Sequence, residues 1–241
     1  MKRKEILKMR VDFSDYKFRC SSLGKLMVDS RTKKDPLSKT TMTYLQEIHK
    51  EQVFGRDKEI TSMYLDKGIQ AEDEAIEMYN RVYNTNLSKN EEFFENDFIC
   101  GTPDIVNPLI DIKSSWDFST FPLNRVEIPT KDYEWQLIGY MILTNSVDSE
   151  LAYCLVNTPD MLIQDELRRL SWKTGLIDLP LELEEETFRN HMYEDIPEEL
   201  RIKRFKLVLE QESIDKLYER IKACRTYLNS LSDGLASILN N

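Results

Sequence analysis

Residues 101–116 read "GTPDIVNPLIDIKSSW": two short apolar runs, each with an aspartate inside it, and a lysine two places after the second. Side chains alternate along a strand, so Asp111 and Lys113 share one face and Ile112 points the other way. If Asn107-Pro108 closes a hairpin, Asp104 falls opposite Asp111 or Lys113 on that same face. Two facing carboxylates repel each other, and burial enlarges the cost. A divalent cation removes the conflict, and Mg²⁺ favours carboxylate oxygens, keeps several waters and pairs with phosphates. A solvated hairpin in which Lys113 neutralises Asp111 is the alternative, so the reading needs support from elsewhere in the chain.

Support comes from two further segments. In "KGIQAEDEAIEMY", residues 67–79, a helical wheel centred on Glu72 places Leu65, Gly68, Ile69, Ala75, Ile76 and Tyr79 within about 60° of it. Asp73, Glu74 and Glu77 fall outside that arc and read as a solvated face. A carboxylate inside an apolar stripe is paired, protonated or bound to a metal. In "EWQLIGYM", residues 134–141, Gln136 and Tyr140 are spaced i, i+4 and are neighbours on one helix face. A buried tyrosine beside a hydrogen-bonded glutamine is the plainer reading of that pair.

The elements that must position these residues follow from capping and periodicity. Residues 20–29 predict a short helix capped by Ser21 or Ser22, and Asp35 with Pro36 predicts the start of a second one. A long amphipathic helix spans about 59–83. Strands over about 92–106 and 109–116 form the hairpin, and 117–129 is a loop. Thr130 caps a helix over "KDYEWQLIGYMILTN". A strand at "SELAYCLVN", a helix near 160–173, an acidic block at 181–200, a strand at "RIKRFKLVLE" and a final helix over 212–238 complete the order. Interleaved helices and strands place the chain in the α/β (α+β) class.

Composition narrows the function classes. At 241 residues the chain is expected to form a single domain, because one core grows to about 250 residues before splitting. No apolar run follows the basic N-terminus and none is long enough for a membrane span, so an intracellular, cytoplasmic protein is expected. Cys20, Cys100, Cys154 and Cys224 lie far apart, with no CxxC pair, and His49 and His191 are the only histidines. A zinc site, a disulfide framework or a Ser-His-Asp triad is therefore disfavoured. The net charge of −10 does not exclude nucleic acid, since much of the acid lies in the 181–200 block. Basic clusters stand apart at "KRK" near the start and "SRTKK" at 30–34.

Taken in order, Gly68 to Glu72 (G-x-x-x-E), Pro103-Asp104, Asp111-Ile112-Lys113 (D-x-K) and Gln136 with Tyr140 (Q-x-x-x-Y) resemble the PD-(D/E)xK nuclease superfamily. More narrowly, the set is similar to the YqaJ and lambda exonuclease group of phage-type, RecB-like exonucleases. "RCSSLGKLM" at 19–27 resembles that group's Ser-bearing N-terminal helix, and "IPEELRIKRFKLVLEQESIDKLYERIKACRTYL" its last strand and helix. The likeness is scattered over about 19–228. Two departures stand out: Asp111 occupies a place where this group usually has Glu, and the interval from Asp104 to Asp111 is short.

The resemblance implies a restriction-endonuclease-like fold, a mixed central sheet flanked by helices, with a catalytic core over about 57–158 and a C-terminal strand-helix extension over about 200–241. It implies a metal-dependent DNA exonuclease in which Glu72, Asp104, Asp111 and the Ile112 carbonyl hold one or two Mg²⁺ or Mn²⁺ ions. Lys113 would orient or deprotonate the attacking water or offset developing negative charge. Gln136 and Tyr140 would position Lys113, the metal site or a phosphate. Arg19, Ser21 and Ser22 would hold a DNA end, unless the serines are simple caps, and Trp116 and Trp135 either stack on a base or belong to the core. DNA, a single-strand annealing protein and a ring-shaped homotrimer are the implied partners. With only Cys224 in the C-terminal region, no iron–sulfur cluster is expected. An endonuclease on the same fold, or an inactive binding or assembly module, are the alternatives.

Overall fold

The computed structural model describes residues 11–31, 35–58 and 62–240. The "KRK" cluster, most of "SRTKK" and the expected helix start at Glu59 lie outside the described residues.

Residues Ile110–Ser114 (β4), Asp148–Cys154 (β5) and Ile202–Val208 (β6) form a three-stranded mixed sheet. β4 pairs parallel with β5, and β5 pairs antiparallel with β6. Two helices cover its faces. Helix α3, Met63–Tyr83, packs Ala71, Ala75, Met78 and Tyr79 against Ile110, Ile112, Ala152 and Cys154. Helix α4, Lys131–Thr144, packs Leu137 with Leu151, Tyr153 and Phe205 on the opposite face. Ile112 thus points toward α3, while Asp111 and Lys113 point toward α4. Fully burying a leucine such as Leu137 or Leu151 stabilises the fold by about 1.5–3 kcal/mol.

A second three-stranded sheet joins Phe18–Arg19 (β1), Phe94–Glu95 (β2) and Ile99–Gly101 (β3), with β3 central. A 3₁₀ turn, Cys20–Ser22, and the one-turn helix α1, Leu23–Leu26, follow β1 and lie on α4. The approach is close because α4 carries Gly139: a Cβ there would stand 2.7 Å from both Cys20 Sγ and Leu23 Cδ1. Helix α2, Lys39–Phe54, packs on the C-terminal helix α7, Gln211–Asn240, and Asp160–Thr174 (α5) packs on Leu181–Arg189 (α6). None of these helices is long and apolar enough to cross a membrane.

Several expectations are corrected. The strand expected over 92–106 is two strands, β2 and β3, because the Asn96 side chain accepts from the Phe98 and Ile99 amides at 2.8 and 2.9 Å and turns the chain. The hairpin across Asn107-Pro108 is reduced to one antiparallel bridge, Ile105 to Ile110, since β4 spends its pairing on β5. Helix α2 begins three residues beyond the expected Asp35-Pro36 start. Ser38 is its cap, accepting from the Thr41 amide at 3.0 Å, and the Thr41 hydroxyl donates to the Lys25 carbonyl, tying α2 to α1. Thr130 does cap α4, accepting from the Tyr133 amide, and the acidic block contains α6.

Candidate active site

The single bridge sets the register of the two aspartates. Ile105 opposes Ile110 antiparallel, so one step outward Asp104 faces Asp111. Asp104 Oδ2 accepts the Ile112 amide at 2.7 Å. Asp111 is 1% exposed, and its Oδ1 accepts from Gln136 Nε2 at 3.0 Å. The same Gln136 nitrogen lies 3.2 Å from the Tyr140 hydroxyl, which accepts from it. Gln136 and Tyr140 are both buried, so the i, i+4 pair on α4 orients the central carboxylate.

The remaining oxygen, Asp111 Oδ2, lies 2.7 Å from Lys113 Nζ. The ammonium stands off the direction of a regular hydrogen bond, and Oδ2 is buried without one. Burial works against the Lys113 charge, but the Asp111 and Asp104 carboxylates overcome it and hold the lysine above its usual range. Lys113 Nζ also sits 5.3 Å from the centre of the Tyr133 ring. Asp104 is pushed up to about 7, first by burial and then by Asp111, against the opposing pull of Lys113 and the Ile112 amide.

Glu150 shows what a structural buried acid looks like in this fold. It is equally hidden on β5, yet Arg204 lies 2.6 Å from one oxygen and the Tyr79 hydroxyl donates to the other at 2.8 Å. Asp104 and Asp111 instead share Lys113 between two carboxylates, and Asp104 answers by holding its proton more tightly.

Asp104 opens on a cleft of about 620 Å³ lined also by Lys113, Gln136, Glu72, Ser21 and Trp116 among others, with Asp111 buried behind it. Glu72 is on the cleft wall, with its Oε2 2.9 Å from Lys89 Nζ. Among the described residues no three His, Cys, Asp or Glu side chains are gathered as a ready metal cage. The Asp104–Asp111 pair fits an oxygen-seeking divalent ion by its all-oxygen donors. Glu72 would join them by exchanging Lys89 for that ion.

The apolar stripe around Glu72 splits. Ala75, Ile76 and Tyr79 are buried, whereas Leu65 and Ile69 are 47% and 65% exposed and line the cleft with Gly68. The buried column of α3 is instead Met63, Lys67, Ala71, Ala75 and Met78, about one position round from the expected centre. Ser21 reaches the cleft, but Ser22 does not line it; Ser22 bonds the Tyr44 side chain and caps nothing. Arg19 is exposed on β1. Trp135 is core, and Trp116 is half-buried on the cleft wall. Sequence reasoning missed Lys89, Tyr133 and the buried Lys67; only the i, i+4 column on α3 hinted at the last.

The fold is similar to that of phage-type exonucleases, the lambda-exonuclease-like kind of PD-(D/E)xK nuclease. The structure is similar to that of a phage-related exonuclease from Haemophilus somnus 129PT, with a TM-score of 0.74 and 28% identity over 90% of this chain and 95% of that one. It also shares its fold with the alkaline exonuclease LHK-Exo from Laribacter hongkongensis, at a TM-score of 0.62 and 13% identity over 96% of this chain and 95% of that one. The same enzyme in complex with dAMP superposes with a TM-score of 0.60 and 13% identity, again over 96% and 95%. No protein-family profile and no curated protein sequence matches the chain.

Proposed function

We propose that the protein is a metal-dependent DNA exonuclease whose reaction centre is built on Asp104, Asp111 and Lys113. The observation that carries this reading is the pair of facing aspartates, Asp111 buried and Asp104 half-buried at a cleft, with Lys113 between them, on a fold similar to phage-type exonucleases. Asp104, Asp111, the Ile112 carbonyl and Glu72 would hold Mg²⁺ or Mn²⁺, one or two ions. Such an ion lowers the pKa of water and offsets charge on the phosphate oxygens.

The chain's own groups do the rest. Gln136 fixes the Asp111 carboxylate by its Oδ1, and Tyr140 fixes Gln136, so the donor set is held before substrate arrives. Lys113 stays protonated between two carboxylates, which suits it to orient the attacking water and to offset negative charge developing on the phosphate. That charged state disfavours Lys113 as the base that removes the water's proton. Ser21, on the cleft lining, would donate to a phosphate of the DNA end, with Arg19 nearby in sequence.

Asp104→Asn and Lys113→Ala test the assignment. Each lowers hydrolysis of linear duplex DNA by at least 100-fold with the fold intact by circular dichroism; wild-type rates in both would reject it. An intracellular site of action, a homotrimer and a single-strand annealing protein as partner are further parts of the proposal, drawn from the family resemblance. Sedimentation of the pure protein checks the trimer.

A further inference from the structure

Lys67 is 1% exposed, one residue before Gly68, and the reaction centre gives it no task. It occupies the buried column of α3 between Met63 and Ala71. Burial pushes its pKa down to about 7, with Asp117 opposing, so an apolar side chain of similar length would cost the fold less. Its Nζ donates to the Trp116 main-chain carbonyl at 2.8 Å. The Thr158 hydroxyl lies 3.4 Å from the same oxygen and 3.0 Å from His191 Nδ1. The Trp116 indole meets the His191 ring edge-on at 5.0 Å, and the Tyr64 ring at 5.3 Å. Tyr64 is 66% exposed, and both rings line the cleft that contains Asp104 and Lys113, whereas Lys67 does not.

We propose that Lys67 is a positioning residue. By holding the Trp116 carbonyl it sets the Trp116–Tyr64 aromatic wall against which a nucleobase beside the scissile phosphate stacks. The inference rests on the nuclease reading above and adds to it the group that recognises the base. Stacking on an aromatic ring is tolerant of sequence, because every base has a π-face. Trp116 follows directly on Lys113-Ser114-Ser115, so a shift of its main chain moves the wall relative to the lysine.

The test is affinity for a fluorescein-labelled linear duplex, by anisotropy with Ca²⁺ in place of Mg²⁺, for wild type, Lys67→Met, Thr158→Val, Trp116→Ala and the Lys67→Met/Trp116→Ala pair. Lys67→Met and Trp116→Ala each weaken binding by roughly 5- to 20-fold. Thr158→Val weakens it less, in the same direction. The double variant binds no more weakly than Trp116→Ala alone, because Lys67 acts through Trp116. In Mg²⁺, Lys67→Met raises KM more than it lowers kcat. Unchanged affinity in Lys67→Met, or additive losses in the pair, would overturn the inference while leaving the nuclease reading intact. A wild type that neither binds nor cuts DNA overturns both. If Lys67→Met does not fold, the cycle of Thr158→Val with Trp116→Ala decides, with additivity again the contrary result.

Discussion

Gln136 Nε2 lies 3.0 Å from Asp111 Oδ1 and 3.2 Å from the Tyr140 hydroxyl. Among the described residues, a neutral amide thereby donates the one regular hydrogen bond to a carboxylate that is almost wholly removed from water. Gln136→Leu removes that bond and leaves the carboxylate less fixed. Mn²⁺ affinity by calorimetry and hydrolysis rate should each fall by about 10- to 100-fold, the usual cost of losing an outer partner of a metal ligand. Values within twofold of wild type would show that the pair is only structural.

Lys89 holds Glu72 where an ion would otherwise draw it, at 2.9 Å. The lysine is 43% exposed, so solvent screens the pair and its strength is modest. Lys89→Met should tighten Mn²⁺ binding by about two- to fivefold, because the ion no longer competes with an ammonium. Unchanged binding would mean that Glu72 takes no part in holding the ion.

Two helix glycines should respond oppositely to alanine. Gly68→Ala meets nothing within 4 Å, so the helix gains about 0.5–1 kcal/mol of stability in denaturant unfolding. Gly139→Ala gains the same propensity but meets Cys20 Sγ and Leu23 Cδ1 at 2.7 Å. Overpacking of that kind costs about 1–3 kcal/mol and should win, for a net loss. Stabilisation by Gly139→Ala would contradict the close seat of α1 on α4.

The pH dependence of stability isolates Lys67. Its pKa in the folded chain is about 7, below the ordinary 10.5, with Asp117, His191 and Tyr193 as the titratable groups around it. Between those values the unfolded chain binds more protons than the folded one, so stability rises with pH. From pH 7 to 9.5 the unfolding free energy of wild type should rise relative to Lys67→Met by about 1–3 kcal/mol. Parallel curves would show that Lys67 is charged and compensated in the folded state.

What the sequence made legible was local. Asp104, Asp111 and Lys113 were visible because they interrupt apolar strand runs, and their face followed from alternation alone. Thr130 announced α4 because a hydroxyl directly before a helical stretch is a cap. The misread parts depend on contacts distant in the chain. β4 pairs with β5, about 40 residues on, which periodicity does not reveal. Asn96 broke the 92–106 strand by bonding its own backbone, a competition that apolar patterning ignores. The burial of Lys67 was not legible, because its partners, the Trp116 carbonyl and the Tyr193 ring, come from distant parts of the chain.

The central claim is end-dependent, metal-dependent hydrolysis by the Asp104–Asp111–Lys113 centre. The most direct test incubates purified protein with Mg²⁺ or Mn²⁺ and one DNA in two forms, linear and covalently closed circular, with Lys113→Ala alongside. The account predicts that only the linear form is lost, that chelating the metal stops the loss, and that Lys113→Ala abolishes it. Nicking of the circle would make the protein an endonuclease on this fold, and no cleavage of either form with either metal would contradict the enzymatic reading itself.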